Sequence, residues 1–204
     1  MMQALPDYIA IGEQRIPIET DFRLWIELEE AILGGDRARI TGACCAVVPS
    51  LSGGISQEVF DGILGFYALK NPYPFAGSQS GAKEGGNRGS SGRWYDFSVD
   101  FGRLAGSFRA VYGIDLYRDS LHWGEFRVLM LNLPPECEFM RVAGYRLCDV
   151  SELTGKQKKH YLKLKAIYAL DSAGGYRPFA TTEERDRDML KRMEKIRKEM
   201  SESG

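Results

Sequence analysis

Histidine is scarce in this chain, two residues in 204, and no HxxxH pair occurs, which removes the usual helical metal-ligand pattern. The four cysteines, Cys44, Cys45, Cys137 and Cys148, contain no CxxC spacing; they read as free thiols rather than as a zinc site or a redox pair. No GxSxG or GxGxxG is present, and Lys83 in the glycine-rich stretch is not followed by Ser or Thr. A nucleophile elbow, a dinucleotide fold and a phosphate loop are thereby excluded by pattern. Apolar runs are broken by Gly, Pro or charge well short of the ~18 residues a membrane span needs, so a soluble, cytosolic protein is expected. A strong charge of one sign is also missing: the net charge is −1, which gives no support to a general nucleic-acid or membrane binder.

What the chain does have is 44% hydrophobic residues, enough for one domain with a substantial core. "YIAIGEQRIPIET" (8–20) alternates apolar and polar positions around a glycine and predicts a β-hairpin. Thr20 or Asp21 then caps a helix with Phe22, Trp25, Ile26 and Ile32 on one face, Glu27, Glu29 and Glu30 on others, and Gly34–Gly35 as its stop. Further helices are predicted over 36–47 and 56–69, the second turning Val59, Ile63, Phe66 and Tyr67 inward. Residues 77–92, rich in Gly and Ser with nothing apolar larger than Ala, predict a flexible linker.

Beyond it, "YDFSVDFGRLAGSFRAVYG" sets Phe97, Phe101, Leu104, Phe108 and Val111 on one stripe. Helices over 121–132 (Trp123, Phe126, Leu129, Met130 inward) and 136–147 follow. "TGKQKKHYLKLKAIYAL" has Thr154 and Gln157 in capping-box spacing and Tyr161, Leu164 and Tyr168 on one face. A spacer over 171–180 leads to a charged helix opened by Thr181 and Glu184 in the same spacing. The expected fold class is therefore mainly α: a helical domain over 1–170 with a small N-terminal β-hairpin and an internal Gly/Ser-rich linker, then a spacer and charged C-terminal helix over 171–204.

"YGIDLYRDSLHWGEFRVLMLNLP" (112–134) resembles an active site at first, with His122 among acids and beside Trp123. Asp119 and Ser120, however, stand where short polar side chains cap a helix, and His122 falls at the positive end of the dipole, where a neutral ring bridging to a neighbour is natural. It has no nucleophile to serve, so it reads as structural. Asp96 with Asp100 and Glu136 with Glu138 read as acids on solvated helix ends. The chain is thus expected to be no enzyme, with no catalytic, cofactor or metal residues.

Two stretches can hold a partner. Met189, Met193, Ile196 and Met200, spaced 4, 3 and 4, form a narrow apolar seam on a charged helix; it suits either a solvated helix partly laid on the body or a partner-binding helix with adaptable methionines. Lys156, Lys158, Lys159, Lys163 and Lys165 form the densest basic run. With Tyr161 and Tyr168 on its core face, the run fits acidic protein segments or plain solvation better than nucleic acid, and Lys156, Lys159 and Lys163 are its candidate contacts.

"IPIETDFRLWIELEE", "YDFSVDF", "YGIDLYRDSLHWGEFRVLMLNLP" and "YRLCDVSELTGKQKKHYLKLKAIYAL" occur in the order of a known family. Over most of residues 8–170 the chain resembles the "gene product fifteen" family of long-tailed phages, encoded just before the tape-measure gene and regarded as tail-assembly chaperones. It departs at 77–92, which looks longer than usual, and at 171–204. The resemblance implies a non-enzymatic factor in the host cytoplasm, absent from the mature virion. Such a factor binds the tape-measure protein and helps tail tube protein polymerise around it, as a homo-oligomer or beside a companion tail chaperone, without cofactor, nucleic acid or membrane. A minor tail component retained in the virion is the alternative; a regulatory or nucleic-acid-binding protein or an unrecognised enzyme is the third class.

Overall fold

The computed structural model describes residues 5–51, 55–68, 94–170, 189–196 and 198, and these are mainly helical with one two-stranded hairpin. β1 (Tyr8–Ile11) and β2 (Gln14–Pro17) pair antiparallel, with Ile9 opposite Ile16 and Ile11 opposite Gln14. Helices α1 (Phe22–Gly34), α2 (Arg37–Val47), α3 (Gln57–Ala68), α4 (Phe97–Tyr112), α5 (Trp123–Leu131), α6 (Glu138–Leu147) and α7 (Gly155–Ile167) follow, and a last helical stretch covers 189–196. The linker predicted at 77–92, the spacer at 171–180, the Thr181–Glu184 pair and Met200 lie outside the described residues.

By mutual contact the chain divides into two compact units, and their boundary does not run at residue 170. The first holds residues 5–51, 55–68, 120–128 and 189–196, and the second holds 94–119 and 129–170. In the first unit, Asp21 starts α1 by accepting the Arg23 N–H at 3.0 Å. Gly35 ends it at φ +73°, its own N–H returning to the carbonyls of Ala31 and Ile32, the left-handed cap for which glycine is best suited. Asp36 opens α2 at once, accepting from the N–H groups of Ala38 and Arg39.

The core of this unit is aromatic. Phe22 stacks on Phe126 with centroids 4.5 Å apart, Trp25 lies 4.6 Å from Phe66 and 6.3 Å from Trp123, and Tyr67 stacks on Trp123 at 5.5 Å. Such pairs contribute roughly 0.5–1.5 kcal/mol each beyond the area they bury. Both indoles have found acceptors: Trp25 donates to the Glu19 carbonyl at 2.8 Å and Trp123 to the Tyr67 carbonyl at 3.2 Å. Arg127 also donates to that Tyr67 carbonyl, which sits in the last turn of α3 where a helix leaves carbonyls without internal donors. Glu29 departs from expectation. It is 1% exposed rather than on an outer face, and its carboxylate accepts the Tyr67 hydroxyl at 2.7 Å, the kind of bond that makes burial of a carboxylate tolerable.

In the second unit Asp96 caps α4 and Gly113, at φ +73°, closes it. Trp94, Tyr95, Phe97 and Phe139 form a cluster of edge-on and tilted rings 4.2–6.1 Å apart. Cys137 gives α6 no side-chain cap; instead the Ser107 hydroxyl on α4 accepts the Phe139 N–H at 3.3 Å. The buried face of α4 differs from the predicted stripe: Phe97, Leu104 and Phe108 are in it, but Val111 is 38% exposed and Phe101 half-buried, while Asp100 and Ser107 are buried.

Candidate functional site

His122 holds two helix starts together. The Phe22 N–H donates to the Leu121 carbonyl at 3.0 Å and the Trp123 N–H to the Thr20 carbonyl at 2.7 Å, so the residues opening α1 and α5 pair as a short antiparallel bridge. Nδ1 of His122 accepts the Gly124 N–H at 3.0 Å, and Nε2 lies 2.8 Å from the Pro6 carbonyl. An amide can only donate and a carbonyl can only accept, so the ring is the neutral tautomer with its proton on Nε2. Both nitrogens are used by backbone, as the structural reading expects. The cap itself differs from expectation: His122 caps α5, whereas Ser120 donates to Asp21 at 2.7 Å and Asp119 accepts the Asp115 N–H at 2.8 Å.

Asp100 also departs from its reading as a solvated acid. Its carboxylate is 1% exposed and grips Arg146 with both oxygens, at 2.6 and 3.0 Å. Arg146 donates further to the carbonyls of Trp94 at 3.0 Å and Tyr168 at 2.7 Å, so one guanidinium ties α4, α6, the residue entering α4 and the end of α7. The missed signal was its place in the sequence: Asp100 lies three after Phe97 and four before Leu104, within the apolar stripe. Glu138, of the other carboxylate pair, is exposed.

α7 has no buried residue. Tyr161, Leu164 and Tyr168 are half-buried, and Tyr145 on α6 meets the rings of Tyr161 and Tyr168 at 6.2 and 5.7 Å. Lys165 is tied to the Cys148 carbonyl at 2.7 Å. The opposite face carries Lys156, Lys159 and Lys163, all exposed, at the i, i+3, i+7 spacing that aligns side chains, together with Ile167 (60% exposed) and Leu162 (48% exposed) at its border. Those two aliphatics were not foreseen. Thr154 makes no side-chain cap bond and the first turn holds no acid, so lysines crowd the positive end of the helix dipole unrelieved by this element's own residues.

A family model described as Bacteriophage Gp15 protein matches residues 1–170. The chain belongs to that family. No curated protein and no solved structure matches it. Membership makes it a phage structural or assembly-related protein, and the match takes in every element from β1 to α7. The methionine seam falls beyond the matched Gp15 region. There Met189 and Met193 are 0% exposed and belong to the first unit, and Ile196 is half-buried. Those two methionines are core side chains of the first unit. Among the described residues no cluster of three or more His, Cys, Asp or Glu is placed to hold a metal, and no helix is long and apolar enough to cross a membrane.

Proposed function

We propose that this Gp15-family protein is a tail-assembly chaperone: it binds the tape-measure protein in the host cytoplasm and keeps it available for tail tube protein to polymerise around. It acts without chemistry of its own. The observation that carries this reading is the outer face of α7, where three aligned exposed lysines and two exposed aliphatic side chains leave a helix with no buried residue. That combination suits an acidic amphipathic helix, lying with its apolar anchors on Leu162 and Ile167 and its acids against Lys156, Lys159 and Lys163. The tape-measure protein, the partner that the resemblance described above implies, would supply such a segment.

The test is co-expression with the tape-measure protein of the same phage, comparing the intact chain with Lys156→Glu/Lys159→Glu/Lys163→Glu. The intact chain should keep the tape-measure protein soluble and co-purify with it in a salt-sensitive manner. The triple variant should lose co-purification at least tenfold, as expected when attraction on this surface becomes repulsion of a few kcal/mol, with an unchanged melting temperature because the three side chains are exposed. Equal capture by both proteins would remove α7 as the docking face; failure of the intact chain to solubilise its partner would remove the chaperone reading.

A further inference from the structure

Among the described residues no strand pairs with the outer edge of β1. In antiparallel pairs the residues alternate between those whose backbone faces the partner and those whose backbone faces away. The Ile18 N–H donates to the Asp7 carbonyl at 3.0 Å, and with Ile9 opposite Ile16 and Ile11 opposite Gln14 the inward-facing set on β1 is fixed as Asp7, Ile9 and Ile11. Tyr8 and Ala10 therefore turn their N–H and C=O groups outward, away from β2. Pro17, opposite Tyr8, occupies a position where no ladder donor is needed.

A cleft of about 620 Å³ runs along that edge. It is lined by every residue from Tyr8 to Gly12 and by no residue of β2. Because successive strand side chains point to opposite faces, a cleft touching all of them follows the backbone edge rather than one face. Its other wall is α3, through Glu58, Asp61, Gly62 and Gly65. Gly62 allows β1 to lie close, since a Cβ there would come 3.1 Å from Ile9, whereas a Cβ on Gly65 would meet nothing within 4 Å. Glu58 and Asp61 are the charged residues among the described lining, and both are acidic and exposed. Free strand edges are normally blunted by charge, proline or cover. Here the outward positions are Tyr8 and an exposed Ala10.

We propose that this cleft takes an extended peptide segment of a partner protein, added as a third strand on β1, with basic side chains facing Glu58 and Asp61 and small or β-branched ones over Gly62 and Gly65. Main-chain bonds to Tyr8 and Ala10 give the affinity, and the acidic wall of α3 selects the sequence. The site is separate from the α7 face and does not rest on the tape-measure reading.

The probe is a fluorescein-labelled peptide of three Lys-Val repeats, tested on the full chain by anisotropy and by amide shifts of residues 8–12. Binding should be saturable and centred on those amides. It should weaken by about tenfold or more when alternate peptide amides are N-methylated, because each methyl removes a backbone hydrogen bond, and similarly when the lysines are exchanged for glutamates. Gly65→Leu should block the cleft while leaving the circular dichroism spectrum unchanged, since a Cβ at that position meets nothing within 4 Å. Glu58→Lys serves as a second variant and should reverse the preference between lysine and glutamate peptides. Equal binding of the N-methylated peptide, no shifts at residues 8–12, or a Gly65→Leu protein that binds normally would each overturn the proposal. So would a change of oligomeric state on Gly65→Leu, which would make a second copy of this chain the occupant.

Discussion

Cys44 has no exposed surface, and burial, reinforced by the neighbouring Cys45, pushes its thiol from 9.0 up to about 12. The fold thus holds the neutral thiol where the unfolded chain would already be ionised. Because the folded value is the higher one, the stabilisation is complete below the unfolded value and is lost as pH rises from there towards the folded value, at no more than about 1.4 kcal/mol per unit. Urea midpoints taken from about pH 8 to about pH 11 should fall for the intact chain and fall less steeply for Cys44→Ala; parallel curves would mean that Cys44 contributes nothing to the alkaline limb. A sharper case is Arg146, whose bidentate partner Asp100 is 1% exposed. Replacing Arg146 by Met leaves a buried carboxylate short of its main countercharge and should cost about 3–5 kcal/mol. Adding Asp100→Leu should recover part of that loss, because the stranded charge is then removed. A single variant as stable as the intact protein would show that the pair does not hold α4 to α6.

At the scale of elements, the hairpin and the starts and stops of α1 and α2 were legible because each is decided within a few residues. Asp21 and Asp36 cap their own helices, and Gly35 ends α1 at positive φ. What escaped depended on residues far apart in the chain. Asp100 looks like a surface acid until Arg146 arrives from α6, and Glu29 until Tyr67 arrives from α3. Ser107 is an unremarkable helix serine until it caps α6 from α4. Local rules also failed: Thr154 has the capping-box spacing with Gln157 but makes no side-chain cap bond, and the cap of α5 passed from Asp119 and Ser120 to His122, whose ring also reaches Pro6. The α7 lysines could be placed on an exposed face from spacing, but the exposed Leu162 and Ile167 beside them could not, because apolar residues are assigned inward by default.

Over the whole molecule, chain order and spatial grouping part company. The first unit is assembled from the N-terminal helices, from residues 120–128 and from 189–196, so the family match over 1–170 leaves out residues that this unit contains. Met189 and Met193 are 0% exposed there. Deleting them leaves the surfaces they cover open to water, and truncating a buried methionine typically costs about 2–5 kcal/mol. A chain ending at Leu170 should therefore be less stable than the full chain, and Met189→Ser/Met193→Ser in the full chain should reproduce most of the loss. The loss should register in the fluorescence of Trp25 and Trp123, which lie in the first unit, more than in that of Trp94, which lies in the second; single-tryptophan variants separate the two signals. The same measurement bears on how the C-terminal segment is used: a partner that drew Met189 and Met193 out of the first unit would have to compensate for that loss, whereas the α7 face is open without any rearrangement. Identical denaturation of the 1–170 and full-length chains in the first-unit signal would make residues 189–196 a dispensable extension and return the methionine seam to the role of a free docking surface.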